Sequence, residues 1–172
     1  GLLGAALTDN GSFAEAERVL AAALARGRQV ADPNTRARLY WSESRLRVEQ
    51  GQSELAARYA RKTLEILRTT EDTYAIAHML QSLAHIYLDL DRAQEALELL
   101  REGNELILAA GTPLDVAQYR IEEARALAAL GEREAAAALA MEAGNTLRDM
   151  EPIDAGRAFA LLGEIYADLG DA

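Results

Sequence analysis

Cysteine is missing from all 172 residues, which excludes disulfides, thiolate metal sites and a cysteine nucleophile. Histidine is almost as scarce, since His78 and His85 are the only two. They lie seven residues apart on one predicted helix, about 10.5 Å along its axis. One metal ion does not bridge that distance easily, and zinc-protease helices use a four-residue step instead. No apolar run approaches the roughly 20 residues of a membrane-crossing helix, and no signal peptide is visible. Aromatics are few, with one Trp and two Phe, so the core is expected to be thin and built by close packing of Ala- and Leu-rich helices. Basic residues number 18 against 28 acidic ones, a formal net charge of −10. That balance argues against direct binding of DNA or an anionic membrane. A Gly-rich phosphate loop, a nucleophile elbow and an HExxH motif are all missing. No catalytic residue, metal or cofactor is therefore assigned, and a non-catalytic cytoplasmic protein is expected.

What the chain does contain is repetition. The stretch from Leu80 to Leu100, LQSLAHIYLDLDRAQEALELL, reads as two amphipathic helices meeting at a polar corner. Leu80, Leu83, Ala84 and Tyr87 share one stripe, and Ala93, Ala96, Leu97 and Leu100 another. Asp91 stands at the corner as the expected N-cap of the second helix, with Gln94 completing a capping-box pattern. A lone hairpin cannot bury both of its faces, so copies are required. The corner recurs at Gly11, Gly51, Asp91, Gly131 and Gly170, at intervals of 40, 40, 40 and 39 residues. Ala16, Ala56, Ala96 and Ala136 follow it by five residues. Gly4, Ser44, Ala84, Ala124 and Gly163 make the matching small column on the first helices, where axes approach within about 8–10 Å only if the contact side chains are small. Leu7, Tyr87, Leu127 and Tyr166 flank it.

These columns resemble the tetratricopeptide (TPR) repeat, whose signature combines a bulky residue, Leu-Gly, Tyr and then Ala. Phe159, Leu162, Gly163 and Tyr166 match its first helix, and Leu80, Leu83, Ala84, Tyr87, Ala96 and Leu100 match across both helices. The resemblance covers essentially the whole chain. It departs from the family in its 40-residue period, against the usual 34, and in lacking the Pro that ends the second helix. In this it looks like the longer repeats of bacterial signalling ATPases and helix-turn-helix regulators. The resemblance implies an all-α fold, a right-handed α-solenoid of antiparallel helix pairs.

Proline marks the starts. The chain has three, in Asp32-Pro33, Thr112-Pro113 and Glu151-Pro152, each suited to the first turn of a helix. Glu71 and Asp72 hold the equivalent place in the middle repeat and suit a helix N-terminus by charge. The expected map is nine helices near 2–9, 12–26, 33–50, 53–69, 72–90, 92–110, 113–130, 132–149 and 152–169, with no strand and no linker. Residues 1–172 are expected to form a single repeat domain of about four helix pairs plus a terminal helix. With no initiator Met and no cap before Leu2, we expect a fragment of a longer chain.

In repeats of this family the first helices line a concave groove. Carried onto this chain, that stripe is Arg38, Trp41, Arg45, Val48 and Glu49, then His78, Gln81, His85, Leu88 and Asp89. It continues with Gln118, Ile121 and Arg125, then Arg157, Ala160, Glu164 and Asp168. Arg45, His85 and Arg125 form one column, and Arg38, His78, Gln118 and Arg157 another. In so acidic a protein these are candidate anion or peptide ligands, because guanidinium groups hold carboxylates and phosphates bidentately. The competing reading pairs the arginines with acids such as Glu43, Glu49 and Glu123. Trp41 is either a stacking platform in the groove or packing between repeats. Glu43 and Arg47, four apart, are expected to form a partly buried ion pair between repeats.

The stretch RARLYWSESRL, residues 36–46, looks like C-terminal regions of XRE-type or LuxR-type transcriptional regulators. The resemblance implies a non-catalytic sensing domain that binds a peptide, a protein or a small effector, or forms a homodimer, with DNA binding left to a separate domain. The alternative is a general interaction scaffold with no DNA-binding partner domain.

Overall fold

The computed structural model describes residues 2–27, 32–148, 150 and 152–170, and their side chains except those of 2, 3, 5, 27, 152–155, 157, 168 and 169. Among the described residues there are nine helices and no strand. They are α1 (Leu2–Asp9), α2 (Phe13–Gly27), α3 (Pro33–Glu49), α4 (Ser53–Leu67), α5 (Thr73–Leu88), α6 (Ala93–Ala110), α7 (Pro113–Ala129), α8 (Arg133–Leu147) and α9 (Pro152–Gly170). Every boundary falls within two residues of the sequence expectation. The helices gather into two compact units, residues 1–86 and 87–172.

The helix starts follow the local chemistry. Asp32 accepts a hydrogen bond from the Thr35 amide at 2.8 Å, and Pro33 fills the first helical position. Thr112 and Asp115 complete a capping box at α7, again with Pro113 inside it. Asp72 replaces the proline device at α5 by accepting from the Ala75 amide at 2.9 Å.

The corners correct one expectation. Gly11, Gly51 and Gly131 have φ of 72°, 70° and 83°, and Asp91 joins them at 58°. At each corner an amide bonds back five residues, as from Gln52 to the Arg47 carbonyl at 2.8 Å and from Arg92 to the Tyr87 carbonyl at 2.9 Å. This is the hydrogen-bond pattern of a Schellman stop. Asp91 is therefore the left-handed residue that ends α5, not the N-cap of α6. That cap is Arg92, which makes no side-chain capping bond. Gln94 turns instead to Glu98. Asp substitutes for Gly here because its short polar side chain tolerates positive φ better than most.

Small residues set the crossings. In the first unit a Cβ added to Gly4 would stand 2.5 Å from Leu20 Cδ2, so any larger residue there would force the buried Leu20 side chain of α2 to move. Ser44 and Ala56 are fully buried where α3 meets α4, and the Ser44 hydroxyl donates to the Ala56 carbonyl at 2.9 Å. In the second unit Ala117, Ile121 and Ala124 of α7, Ala140, Ala143 and Leu147 of α8, and Ala158, Leu162 and Ile165 of α9 form one core. No helix among the described residues is long and apolar enough to cross a membrane.

Candidate functional site

In the first unit a pocket of about 500 Å³ opens between α3 and α5, with α4 beneath it. Helix α3 brings Asn34, Ala37, Arg38 and Trp41, spaced so that they share one helical face. Helix α5 and its cap bring Asp72, Ala75, His78, Met79 and Ser82, while Thr63 and Leu67 of α4 make the floor. Thr63 is buried, and its hydroxyl is turned back to the Tyr59 carbonyl at 3.0 Å. That leaves its methyl group as the apolar part of the side chain. The rim carries both signs of charge, from Arg38 and Asp72. Tyr74 stands edge-on to His78, with ring centroids 4.4 Å apart. Trp41 is half-buried and lines the wall. A space of this size and mixed lining is typical of sites that take small ligands or peptide side chains.

Three of the nine sequence candidates thus come together, namely Arg38, Trp41 and His78. Gln81 and His85 are half-buried on the same helix but do not line this pocket. Arg45 is drawn to an acid, with its Nη2 2.5 Å from Asp9 Oδ1. Gln118 and Arg125 lie on α7 in the second unit, and Arg125 contacts Glu122 at 2.7 Å and Asp89 at 3.9 Å. The side chain of Arg157 lies outside the described residues. The column of Arg45 and Arg125 therefore follows the ion-pair reading, although with acids other than those the sequence suggested.

Glu43 and Arg47 form the expected pair at 3.3 Å, and Arg47 also reaches Glu17 on α2 at 2.9 Å and Gln50 at 2.8 Å. Glu43 is almost fully buried. Burial pushes its carboxyl above the usual range, against the pull of the Arg47 guanidinium. This buried network joins successive repeats. Among the described residues no group of three or more side chains is arranged to hold a metal ion.

Sequence reasoning passed over Asn34, Thr63, Asp72, Met79 and Ser82. Asn34 and Ser82 were detectable, because they extend the Arg38 and His78 faces by one turn. The floor was not, because a map confined to the first helices does not contain α4.

No family model and no curated protein matches the sequence. Solved structures do share its fold. One is BtubC (BKLC) from P. vanneervenii, with a TM-score of 0.80 at 21% identity over 98% of this chain and 71% of that one. Another is the TPR-like repeats of a putative kinesin light chain from Podospora anserina, with a TM-score of 0.75 at 20% identity over 97% and 90%. The fold is TPR-like. A Rap protein solved in complex with the competence and sporulation factor shares it too, with a TM-score of 0.63 at 18% identity over 96% of this chain. This chain spans 50% of that Rap protein. At such identities the likeness is one of architecture, an all-α solenoid of TPR-like helix pairs. What a TPR-like chain binds is decided by its own side chains.

Proposed function

We propose that this chain is a non-catalytic interaction or sensing domain whose first-unit pocket takes an acidic peptide segment. In this reading the peptide carboxylate lies at Arg38, and an apolar neighbour packs against Trp41, Leu67 and Met79. One observation carries it. Arg38 makes no ion pair with any described residue, while Arg45, Arg47 and Arg125 each have an acid within 4 Å. It stands over a cavity of about 500 Å³ with Trp41 and His78. A guanidinium outside the ion pairs, in a chain of net charge −10, is open to an incoming anion, with Asp72 on the same rim favouring a ligand that also carries a hydrogen-bond donor. A Rap protein solved with a factor bound adds support at the level of fold.

The setting we propose is the sensing part of a bacterial transcriptional regulator, following the resemblance of residues 36–46. Binding would bias the packing of α3 on α5, and so the equilibrium between two arrangements of the repeats.

Trp41, the only tryptophan, is a built-in reporter. Acidic and basic peptides of equal length are titrated while its emission is followed. Acidic peptides are expected to shift the emission, Arg38→Glu to abolish the response, and Arg45→Glu to leave it intact. Basic peptides binding better, or a response indifferent to Arg38→Glu, would overturn the assignment. DNA binding by the parent polypeptide, measured with and without an active peptide, separates regulation from scaffolding. An affinity for DNA that the peptide does not alter leaves the scaffold.

A further inference from the structure

The pocket between α3 and α5 also has an order along its length. Each lining helix opens on a capping aspartate, Asp32 for α3 and Asp72 for α5. Six residues later each carries a nitrogen-bearing side chain into the lining, Arg38 on α3 and His78 on α5. Both pairs of positions repeat at the 40-residue period, so the two helices present the same groups in the same sequence. At about 1.5 Å of rise per residue, the aspartates and the level of Arg38 and His78 are roughly 9 Å apart along the axes. Trp41 and Ser82 follow about one turn further on.

Among the described lining residues, Arg38 and Asp72 are the two charged side chains beside the imidazole of His78. A bare helix N-terminus would draw an anion to the aspartate end. Here a capping carboxylate already answers each N-terminus. The Thr35 hydroxyl and then its amide donate to Asp32, and with Arg36 nearby they hold its carboxyl below the ordinary value. Glu71 adds another acid next to Asp72. Arg36 and Arg68 stand near the same helix ends, but neither lines the pocket. A second ligand carboxylate at this end would meet Asp72, and an apolar group would cover that carboxylate without offering it a donor.

We infer that the pocket reads a charge pair, with an ammonium group of the ligand against Asp72 and Asn34 and a carboxylate further along the same peptide at Arg38. An extended peptide advances about 3.3 Å per residue, so roughly 9 Å separates groups two to three residues apart. This rests on the acidic-peptide reading above and adds to it a fixed cation, its order and its spacing. The ammonium is the peptide's own N-terminus or a lysine side chain. The peptide then runs from Asp72 toward Trp41, in the direction of α3.

The test follows Trp41 emission in the chain of 172 residues. Three peptides with amidated C-termini, so that the glutamate is their one carboxylate, are compared. They are Gly-Ser-Glu-Leu with a free amine, the same peptide acetylated, and acetylated Lys-Ser-Glu-Leu. Acetylation of the first is expected to weaken binding at least tenfold. Asp72→Asn should weaken the free-amine peptide as much and make it indifferent to acetylation. Asparagine caps helices about as well as aspartate, so this variant should keep the parent circular dichroism. The lysine peptide identifies the source of the cation. Recovered affinity assigns the ammonium to a side chain, and continued weakness assigns it to the peptide N-terminus. If acetylation changes nothing while Arg38→Glu abolishes the response, the inference falls and the acidic-peptide reading stands. An acetylation effect undiminished in Asp72→Asn also overturns the inference, because the ammonium would lie elsewhere. No response to any of the three peptides sinks both.

Discussion

Arg45 and Asp9 are joined across 36 residues of sequence, Nη2 to Oδ1 at 2.5 Å, and Arg125 stands in the same relation to Asp89 at 3.9 Å. Each unit thus ties a cation of one first helix to an acid at the end of the first helix before it. Two of the cations proposed for ligand binding on sequence grounds are therefore already engaged. Arg38, among the described residues, lines the cavity of the first unit together with His78.

The Arg45–Asp9 pair is short but exposed, with side chains at 41% and 55%. Exposed pairs are screened by water and lose side-chain freedom, so their net worth is about 0–1 kcal/mol. A double-mutant cycle with Arg45→Gln and Asp9→Asn should return a coupling below about 1 kcal/mol. It should fade at about 0.5 M salt, where screening acts over only a few ångströms. Urea unfolding of the four proteins measures it.

The Glu43–Arg47 pair should behave differently because it is buried. Arg47→Met leaves the Glu43 carboxylate without its nearest cation, and a broken buried pair costs about 3–5 kcal/mol. Glu43→Gln should cost less, since Arg47 keeps Glu17 at 2.9 Å. The pH dependence has a definite sign. The Glu43 carboxyl is held above its ordinary value of 4.5 by burial, so the folded state binds this proton more readily than the unfolded chain does. This site therefore adds stability as pH falls through the folded value toward 4.5, and that addition is lost as pH rises. The stability of the parent relative to Glu43→Gln should grow between about pH 7 and pH 4. Urea midpoints across that range check the sign, and a difference that shrinks on acidification refutes it.

Asp91 carries a conformational cost that its three glycine counterparts avoid. At φ 58° it occupies the left-handed region with a Cβ attached. Asp91→Gly should stabilise by about 0.5 kcal/mol, the gain being limited by the greater freedom of glycine in the unfolded chain. The converse change, Gly51→Ala, meets no neighbour within 4 Å. Its cost of about 1 kcal/mol would come from the backbone alone. Thermal midpoints of the two variants should move in opposite directions.

The repeat was legible because it is written in residue size. Ala16, Ala56, Ala96 and Ala136 sit at a fixed offset from the corners, and each is fully buried. Helix starts were legible from proline and acid for the same reason, since one residue type meets one local need. Asp91 is ambiguous in the sequence because Asp serves both as an N-cap and as a left-handed stop, and the two positions are adjacent. Repeat alignment with Gly51 and Gly131 held the answer. The site was only partly legible. Periodicity placed Arg38, Trp41 and His78 on inward stripes, but whether a cation finds an acid depends on distances between helices. Asp9 lies 36 residues from Arg45, and helical periodicity says nothing about partners so far apart in sequence.

Space and charge in the pocket can be separated by changing only the space. Ala75 is half-buried on the α5 wall, across from Ala37 and Arg38 on α3. Ala75→Leu adds three carbons into the opening and leaves Arg38, Trp41 and His78 in place. The fold should tolerate it, because the added atoms enter a cavity and gain about 25 cal/mol for each Å² removed from water. The thermal midpoint should hold or rise. If acidic peptides bind inside the pocket, the Trp41 emission response should weaken by at least tenfold while circular dichroism stays unchanged. A response that survives Ala75→Leu but not Arg38→Glu would mean that the guanidinium captures anions from the open surface, and the cavity beneath it would have no part in recognition.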